Sequence, residues 1–283
     1  PNVGKSTLLN RLVGSKVAIV SDKPQTTRSR ILGIQTTPEA QILWLDAPGM
    51  HGHRRSKTLL NERMLRTAED VLEEADAAIL VIDASAGFGR GDEEIHRRVA
   101  AGRRPWLVAV TQIDRVARGA LLRLVADLGE RFPGIDVVPV SGRSGENVRA
   151  LVRAVSALLP EGPPLHPADE LTDQSARRLV EEYVREKIYE ETAAEIPYRT
   201  AVQVERYEEG RGRLDVVHAV ILVEREGHKR ILIGRGGRMI RTIGTKARRD
   251  LERMLRRRLH LELFVKVRED WSDDARMLGE LGL

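Results

Sequence analysis

Seven residues at the start of the sequence have the types and the spacing of a phosphate-binding loop that leads into a helix. They are Pro1, Asn2, Val3, Gly4, Lys5, Ser6 and Thr7. In such a loop backbone N–H groups surround the phosphates, the lysine reaches the β and γ oxygens, and the serine hydroxyl binds Mg²⁺. The alternative is a helix that starts at this Gly-Lys-Ser and binds no ligand. The full pattern begins with a strand and a further glycine. We expect both upstream of Pro1, so that a sheet built from this sequence lacks a central member.

A second group of phosphate-site residues follows a strand-like segment. These residues are Asp46, Ala47, Pro48, Gly49 and Met50. The carboxylate of Asp46 can hold Mg²⁺, usually through water, and the N–H of Gly49 can meet a γ-phosphate because no Cβ stands in the way. The alternative for Asp46 is an ordinary turn at the end of a strand. The side chain of Met50, which follows Gly49, cannot orient a water molecule.

Helices and strands alternate through the first part of the sequence, which is typical of a mostly parallel sheet with helices on both faces. Strands are predicted at 31–37, 41–45, 77–83, 105–111 and 135–140, and helices at 7–13, 57–74, 92–101, 119–131 and 145–159. In such folds ligands bind at the carboxyl ends of the strands. Two further polar groups follow strands there, namely Thr111, Gln112, Ile113 and Asp114, and Ser141 with Gly142.

The family resemblance described below implies that Asp114 is the carboxylate that selects guanine. It would accept hydrogen bonds from the base N1–H and the exocyclic amine, whereas adenine has an unprotonated N1 and no such amine, so the unpaired carboxylate would reject it. One alternative is that Asp114 caps a helix after the strand. Another is a P-loop ATPase, in which ATP would compete well with GTP.

Composition limits the possible classes of protein. The sequence has 283 residues, of which 41% are hydrophobic, and its size suggests two domains. It has no cysteine, which excludes disulfides, zinc-thiolate sites and thiol catalysis and fits a reducing compartment. The longest apolar run, residues 77–82, is too short to cross a bilayer. Residues 225–268 contain fifteen lysines and arginines against four acids, which favours a polyanionic partner over the commoner alternative of a solvated face.

Four prolines between residues 160 and 167 indicate a linker. We therefore predict a first domain at 1–159, a linker at 160–172 and a second domain at 173–283. In the second domain a helix is predicted at 174–192 and strands at 200–207, 214–223 and 261–267.

A Gly-x-x-Gly turn, formed by Gly234, Arg235, Gly236 and Gly237, joins two helical segments of the second domain. Its missing side chains would let a nucleic-acid backbone approach closely. Basic residues expected to contact phosphates are Lys229, Arg230, Arg235, Arg238, Arg241 and Lys246. An apolar groove flanked by Ile233 and Ile240 would receive unstacked bases. The later arginines, Arg253, Arg256, Arg257 and Arg258, are interpreted as solvating a helix, with the alternative that they extend the electrostatic attraction for the polyanion.

These motifs together resemble the Era family of bacterial GTPases over nearly the whole sequence. The family pattern is matched at 1–6, 25–28 and 46–49. It departs at Thr111 and Gln112, where the family has asparagine and lysine, and at Gly142, where it has alanine. A threonine can keep one short polar contact, but a glutamine lacks the lysine stem that covers the purine. We therefore expect GTP to be preferred over ATP but bound more weakly than by the full pattern.

The resemblance implies an α/β P-loop GTPase domain followed by a smaller α+β KH domain, and hydrolysis of GTP to GDP and phosphate. Lys5, Thr27 and Gly49 would be catalytic, and Ser6, Thr27 and Asp46 would hold Mg²⁺. Thr27 lies in the switch I loop, which the γ-phosphate would order, and its neighbour Thr26 is the alternative Mg²⁺ ligand. Asn2 suggests the hypothesis of a K⁺ ion beside the phosphates, with the alternative that it only stabilises the loop. His51, His53, Arg54 and Arg55 are interpreted as a mobile, basic switch II.

The resemblance also implies partners. They are the 3′ end of small-subunit ribosomal RNA and the small ribosomal subunit, whose assembly and rRNA maturation the protein would assist. A cytoplasmic location, with some association at the inner membrane surface, would follow. The competing hypothesis is an RNA-binding module whose nucleotide site is impaired. GTP turnover by the purified protein separates the two.

Overall fold

The computed structural model describes residues 3–50, 58–210, 212 and 214–283. Contacts divide them into two compact units. The first unit comprises the described residues of 1–18, 30–52 and 65–173, and the second those of 19–29, 53–64 and 174–283. Segments 19–29 and 58–64, which the predicted limits place in the first domain, thus pack with the second unit. The predicted limits themselves stay a prediction.

The first unit is built of alternating helices and strands. In chain order its elements, with α2 beginning in the second unit, are α1 (Lys5–Val13), β1 (Ile31–Thr36), β2 (Gln41–Asp46), α2 (Leu59–Glu74), β3 (Ala78–Asp83), α3 (Arg90–Ala101), β4 (Trp106–Thr111), α4 (Arg118–Arg131), β5 (Val137–Pro139) and α5 (Val148–Ser156). β1 and β2 are antiparallel, whereas β3, β4 and β5 form a parallel sheet in that order. Among the described residues no strand pairs with both β2 and β3.

β4 is the most deeply buried of these strands. Residues Leu107–Val110 are fully buried, as expected for a parallel strand covered on both faces. Val108 and Val110 pack in a core with Ile82, Leu128 and Phe132. β5 is shorter than the predicted strand 135–140, since it begins two residues later and ends one residue earlier.

The second unit places helices on a three-stranded sheet. Its remaining elements are α6 (Ala176–Glu191), β6 (Thr200–Glu208), β7 (Leu214–Val223), α7 (Glu226–Ile233), α8 (Arg238–Leu255), β8 (Arg258–Val267) and α9 (Ala275–Glu280). The sheet order is β6-β7-β8, with β6 antiparallel and β8 parallel to β7. β8 begins three residues before the predicted strand, and α9 was not predicted.

Both faces of this sheet are covered, though differently. Apolar residues of α6 and α8, including Tyr183 and Leu251, pack on one face. The start of α2, α9 and the buried Trp271 cover part of the other. In the described part of the chain no helix has the length and apolar content that a membrane span requires.

Candidate functional sites

The phosphate loop and the end of β2 meet in the first unit. Gly4 starts α1 with a left-handed φ of 81°, a conformation that favours glycine, and the helix N-terminus offers N–H groups to an anion. The Ser6 hydroxyl donates to Asp46 Oδ2 at 2.6 Å. Lys5 Nζ lies 3.8 Å from Asp46 Oδ1. The structure thus brings together three of the predicted residues.

The same residues fit a magnesium ion. Mg²⁺ prefers hard oxygen ligands, and a hydroxyl and a buried carboxylate adjoin here. The third predicted ligand, Thr27, is buried in the second unit, and its role stays a prediction. Pro1 and Asn2 lie outside the described residues, as do His51, His53, Arg54 and Arg55. Ala47, Pro48, Gly49 and Met50 follow β2 in neither helix nor strand.

Residues after β4 connect the predicted base site to the phosphate loop. The buried Thr111 hydroxyl lies 2.5 Å from the carbonyl oxygen of Val3, to which it donates, and 3.1 Å from that of Ile82. The short polar contact expected of this threonine is therefore present. Asp114 Oδ1 accepts a hydrogen bond of 2.7 Å from the hydroxyl of Ser141, which is fully buried. Ile113, between the two motif positions, is buried.

The loop after β5 lies against α1. A Cβ on Gly142 would stand 3.0 Å from the backbone N and Cα of Leu8, so this close approach favours glycine where the family has alanine. Arg11 Nε donates to the Gly142 carbonyl at 2.9 Å, and its Nη2 donates to the carbonyl of Arg143. Arg11 therefore fastens the loop to α1. The sequence analysis missed it, because no motif marks an arginine in this role.

Gln112 is held from both sides of its amide. Its backbone is left-handed, with φ 57°, and its Nε2 donates to Asp83 Oδ2 at 2.8 Å. Arg115 Nη1 donates to its Oε1. Asp83 and Arg115 were both missed. Asp83 ends β3 as Asp46 ends β2, and that position at a strand end could have identified it.

Arg28, from the predicted switch I loop, is buried in the second unit. Its guanidinium donates to the carbonyl oxygens of Thr200 at 2.7 Å, Pro197 at 3.1 Å and Tyr198 at 3.2 Å. Burial lowers the pKa of Arg28. The sequence predicted a loop here but gave no indication of these partners.

Helix α6 holds the same segment. Arg185 Nη2 donates to the carbonyl of Thr26 at 2.5 Å, and Lys23 Nζ donates to the carbonyls of Tyr189 and Thr192. Residues on both sides of Thr27 are thus fixed by groups of the second unit.

The Gly-x-x-Gly turn lies between α7 and the eighteen-residue α8, the two helical segments that the sequence predicts on either side of it. Gly234, Gly236 and Gly237 have left-handed φ values of 71°, 59° and 73°. A Cβ on Gly234 would stand 2.8 Å from Met239 Cβ, whereas Gly236 and Gly237 have no atom within 4 Å of that position. The far side of the turn is therefore open to an approaching backbone.

Most of the predicted phosphate contacts are exposed. Exposed side chains are those of Arg230, Arg235, Arg238, Arg241 and Lys246, while Lys229, Ile233 and Ile240 are half-buried. Lys246 Nζ is bonded to Glu191, so part of its charge is already matched.

Arg257 does not fit the solvated role assigned to it. It binds the buried Asp215 through two hydrogen bonds, of 2.7 Å and 2.5 Å. This contact, with a bond from Tyr207, lowers the pKa of Asp215. The interpretation of Arg257 as a solvating residue was therefore wrong, and its role is to hold the start of β7.

Edge strand β8 adds apolar residues to the sheet face that α6 and α8 cover. Leu261 and Leu263 point toward the helical face and are half-buried. A Cβ on Gly244 of α8 would lie 3.4 Å from Leu263 Cδ1, so this glycine allows close packing of strand and helix. The alternation of leucines in β8 was a usable signal.

Known protein families match both units of the chain. The family model of the 50S ribosome-binding GTPases matches residues 1–112, and the KH domain model matches residues 195–272. GTPase Era of Geobacter metallireducens is 42% identical over 283 residues, covering 100% of this chain and 94% of that protein. GTPase Era of Geotalea daltonii is 44% identical over 282 residues, with the same coverage.

Two solved structures resemble the whole chain. One is an Era variant from Aquifex aeolicus bound to GDP·AlF4⁻, and the other is Era in complex with MgGDPNP and nucleotides 1506–1542 of 16S ribosomal RNA. Each has a TM-score of 0.95 and 39% identity, and each match covers 100% of this chain and 95% of the other.

Proposed function

Because this chain belongs to the GTPase Era family, hydrolyses GTP and carries a KH domain, we propose that Ser6 and Asp46 hold Mg²⁺ beside the nucleotide and that the Gly234–Gly237 turn binds single-stranded ribosomal RNA. One observation carries the nucleotide part. The Thr111 hydroxyl bonds the phosphate loop at Val3, so the base-reading motif and the phosphate loop form one connected structure. The motif thereby keeps its link despite lacking asparagine.

Different residues of this chain would hold the base and the phosphates of the nucleotide. Ser141 fixes Asp114 through Oδ1, so Oδ2 can accept from guanine. Lys5 now faces Asp46, and a triphosphate would offer it stronger anionic partners. When bound, Mg²⁺ would neutralise charge on the β- and γ-phosphate oxygens. Thr27 would complete its ligands if segment 19–29 closed on the nucleotide.

Hydrolysis of GTP with and without chelator tests this site. We expect turnover that needs Mg²⁺, and loss of GTP selectivity in Asp114→Asn because the amide presents a donor to the base N1–H. Absence of both turnover and nucleotide affinity in the unmodified protein would favour the RNA-binding module. Effective competition by ATP would instead favour the ATPase.

The RNA part rests on the open turn and the exposed arginines around it, including Arg235 and Arg238. A solved relative was crystallised with nucleotides 1506–1542 of 16S ribosomal RNA. We propose the corresponding 3′ region as the ligand here, and small-subunit assembly and rRNA maturation as the role. Binding of that single strand should exceed binding of the same strand in a duplex. Equal binding of both would contradict recognition of unpaired bases.

We also infer that segment 19–29 links nucleotide state to RNA binding. Arg185 holds Thr26 and three carbonyls hold Arg28, so Thr27 cannot move without disturbing groups of the second unit. A loop that closes on Mg²⁺ only when a γ-phosphate is present would therefore change the second unit.

Three finer expectations stay proposals. A K⁺ ion at Asn2 predicts faster hydrolysis in K⁺ than in Na⁺ and loss of that difference in Asn2→Ala. Association with the inner membrane surface predicts flotation with anionic vesicles. A cytoplasmic location predicts that the protein not bound to membranes is recovered with the cytoplasmic fraction.

A further inference from the structure

The side chain of Gln112 lies on the phosphate loop. A Cβ on Gly4 would stand 3.7 Å from Gln112 Cγ and 4.0 Å from its Nε2. The left-handed φ of 57° at Gln112 directs the chain into a short 3₁₀ turn, Ile113–Arg115. This turn carries the base-reading Asp114, so the amide and the carboxylate are fixed by the same backbone.

Neighbouring charges determine the orientation of the amide. Its nitrogen faces Asp83 Oδ2, which can only accept, and its oxygen faces a guanidinium nitrogen of Arg115, which can only donate. The backbone adds a bond of 3.0 Å from Arg115 N to the Gln112 carbonyl. The reverse orientation would pair like with like at both ends, so one orientation of Gln112 is strongly preferred.

Charge at this end of the site needs a cation. Asp83 and Asp114 are both carboxylates, and a nucleotide adds further negative charge. The lysine of the family pattern would have supplied a positive group here, whereas glutamine is neutral. The guanidinium of Arg115 is the cation that contacts Gln112 directly.

We propose that Gln112 and Arg115 together replace the family's lysine: the Gln112 amide covers the edge of the bound guanine nucleotide, and Arg115 is a positioning residue that holds this amide in place and supplies the positive charge. This inference rests on the guanine site proposed above. It makes Arg115 a determinant of nucleotide residence time, because a cover that is held in place slows dissociation more than it changes association.

A double-mutant cycle with fluorescent mant-GDP tests the proposal. Arg115→Ala should raise the dissociation rate and Kd by about three- to tenfold, as expected for loss of one exposed charge-assisted bond. The association rate should stay within about twofold. Gln112→Lys should bind at least as tightly as the native chain, and adding Arg115→Ala to it should change nothing further.

Matched variants separate this role from general effects. Arg118→Ala removes another exposed arginine nearby and should leave dissociation unchanged. Arg115→Lys keeps a donor and should recover part of the loss. An Arg115→Ala effect below twofold, an equal effect in the Gln112→Lys background, or an effect confined to association at low salt would overturn the proposal.

Failure of the underlying site looks different. If the native chain did not bind mant-GDP, or if Asp114→Asn bound it equally well, the guanine site itself would be wrong and this inference would fall with it. If Asp114→Asn weakened binding but Arg115→Ala did not, only the role of Arg115 would be refuted.

Discussion

Replacing Thr111 by valine removes one hydroxyl and almost no volume. Thr111 is 2% exposed, and its hydroxyl has a single proton to donate. The Val3 carbonyl, at 2.5 Å, should accept it in preference to the Ile82 carbonyl, at 3.1 Å. A net hydrogen bond contributes about 0.5–1.5 kcal/mol. If the bond positions the phosphate loop, its loss should weaken GDP binding by about two- to tenfold.

Equilibrium titration with mant-GDP measures the affinity of the variant for GDP, and urea unfolding measures its stability. Thr37→Val is a matched control because its hydroxyl bonds the Ala40 carbonyl at 3.1 Å in the turn after β1. The control should bind GDP like the native chain. Thr111→Asn, which restores the family residue, should bind at least as tightly. Native affinity in Thr111→Val would refute the claim that this bond holds the loop.

Further predictions concern the second unit. Arg28→Gln should lower the free energy of unfolding in urea by about 2–4 kcal/mol, because three main-chain carbonyls lose a buried charged donor. A similar loss in the exposed control Arg30→Gln would contradict this account. Asp215→Asn should cost about 1–3 kcal/mol at neutral pH. Since Arg257 lowers the pKa of Asp215, the carboxylate contributes stability above its ordinary pKa and loses it as pH falls through the lowered value. As pH falls below the ordinary carboxyl pKa, the urea midpoints of the native chain and the variant should therefore converge, and a constant difference would be the contrary result. Arg238→Gln should weaken binding to all single-stranded RNAs and reduce the salt slope by about 1; an unchanged slope would exclude a phosphate contact.

The sequence was informative where chemistry and local structure coincide. Gly4 needs a left-handed backbone at a helix start, and Asp46, Thr111 and Ser141 follow apolar runs of strand length. Because the carboxyl ends of parallel strands lie on one edge, the sequence is enough to place these motifs together. The Gly-x-x-Gly turn was also predictable, because glycine favours the left-handed backbone angles that such a turn uses.

Contacts between residues distant in sequence were not predictable. Arg28 and Thr200 are 172 positions apart, and no local pattern shows that a polar loop segment will be buried among carbonyl groups. Arg11 donates to carbonyl groups, and Arg115 donates to a side-chain amide. Many surface arginines could reach such groups, so the sequence does not distinguish these two. Gly142 is explained only by its distance to α1.

The central claim is a link between the bound nucleotide and the RNA-binding surface. It is tested by the affinity of the complete chain for a single-stranded fragment of the small-subunit rRNA 3′ end, measured with GDP and with a non-hydrolysable GTP analogue. The account predicts a difference of at least about fivefold, the lower end of typical coupling energies. Equal affinity in both states, or no binding in either, would contradict it.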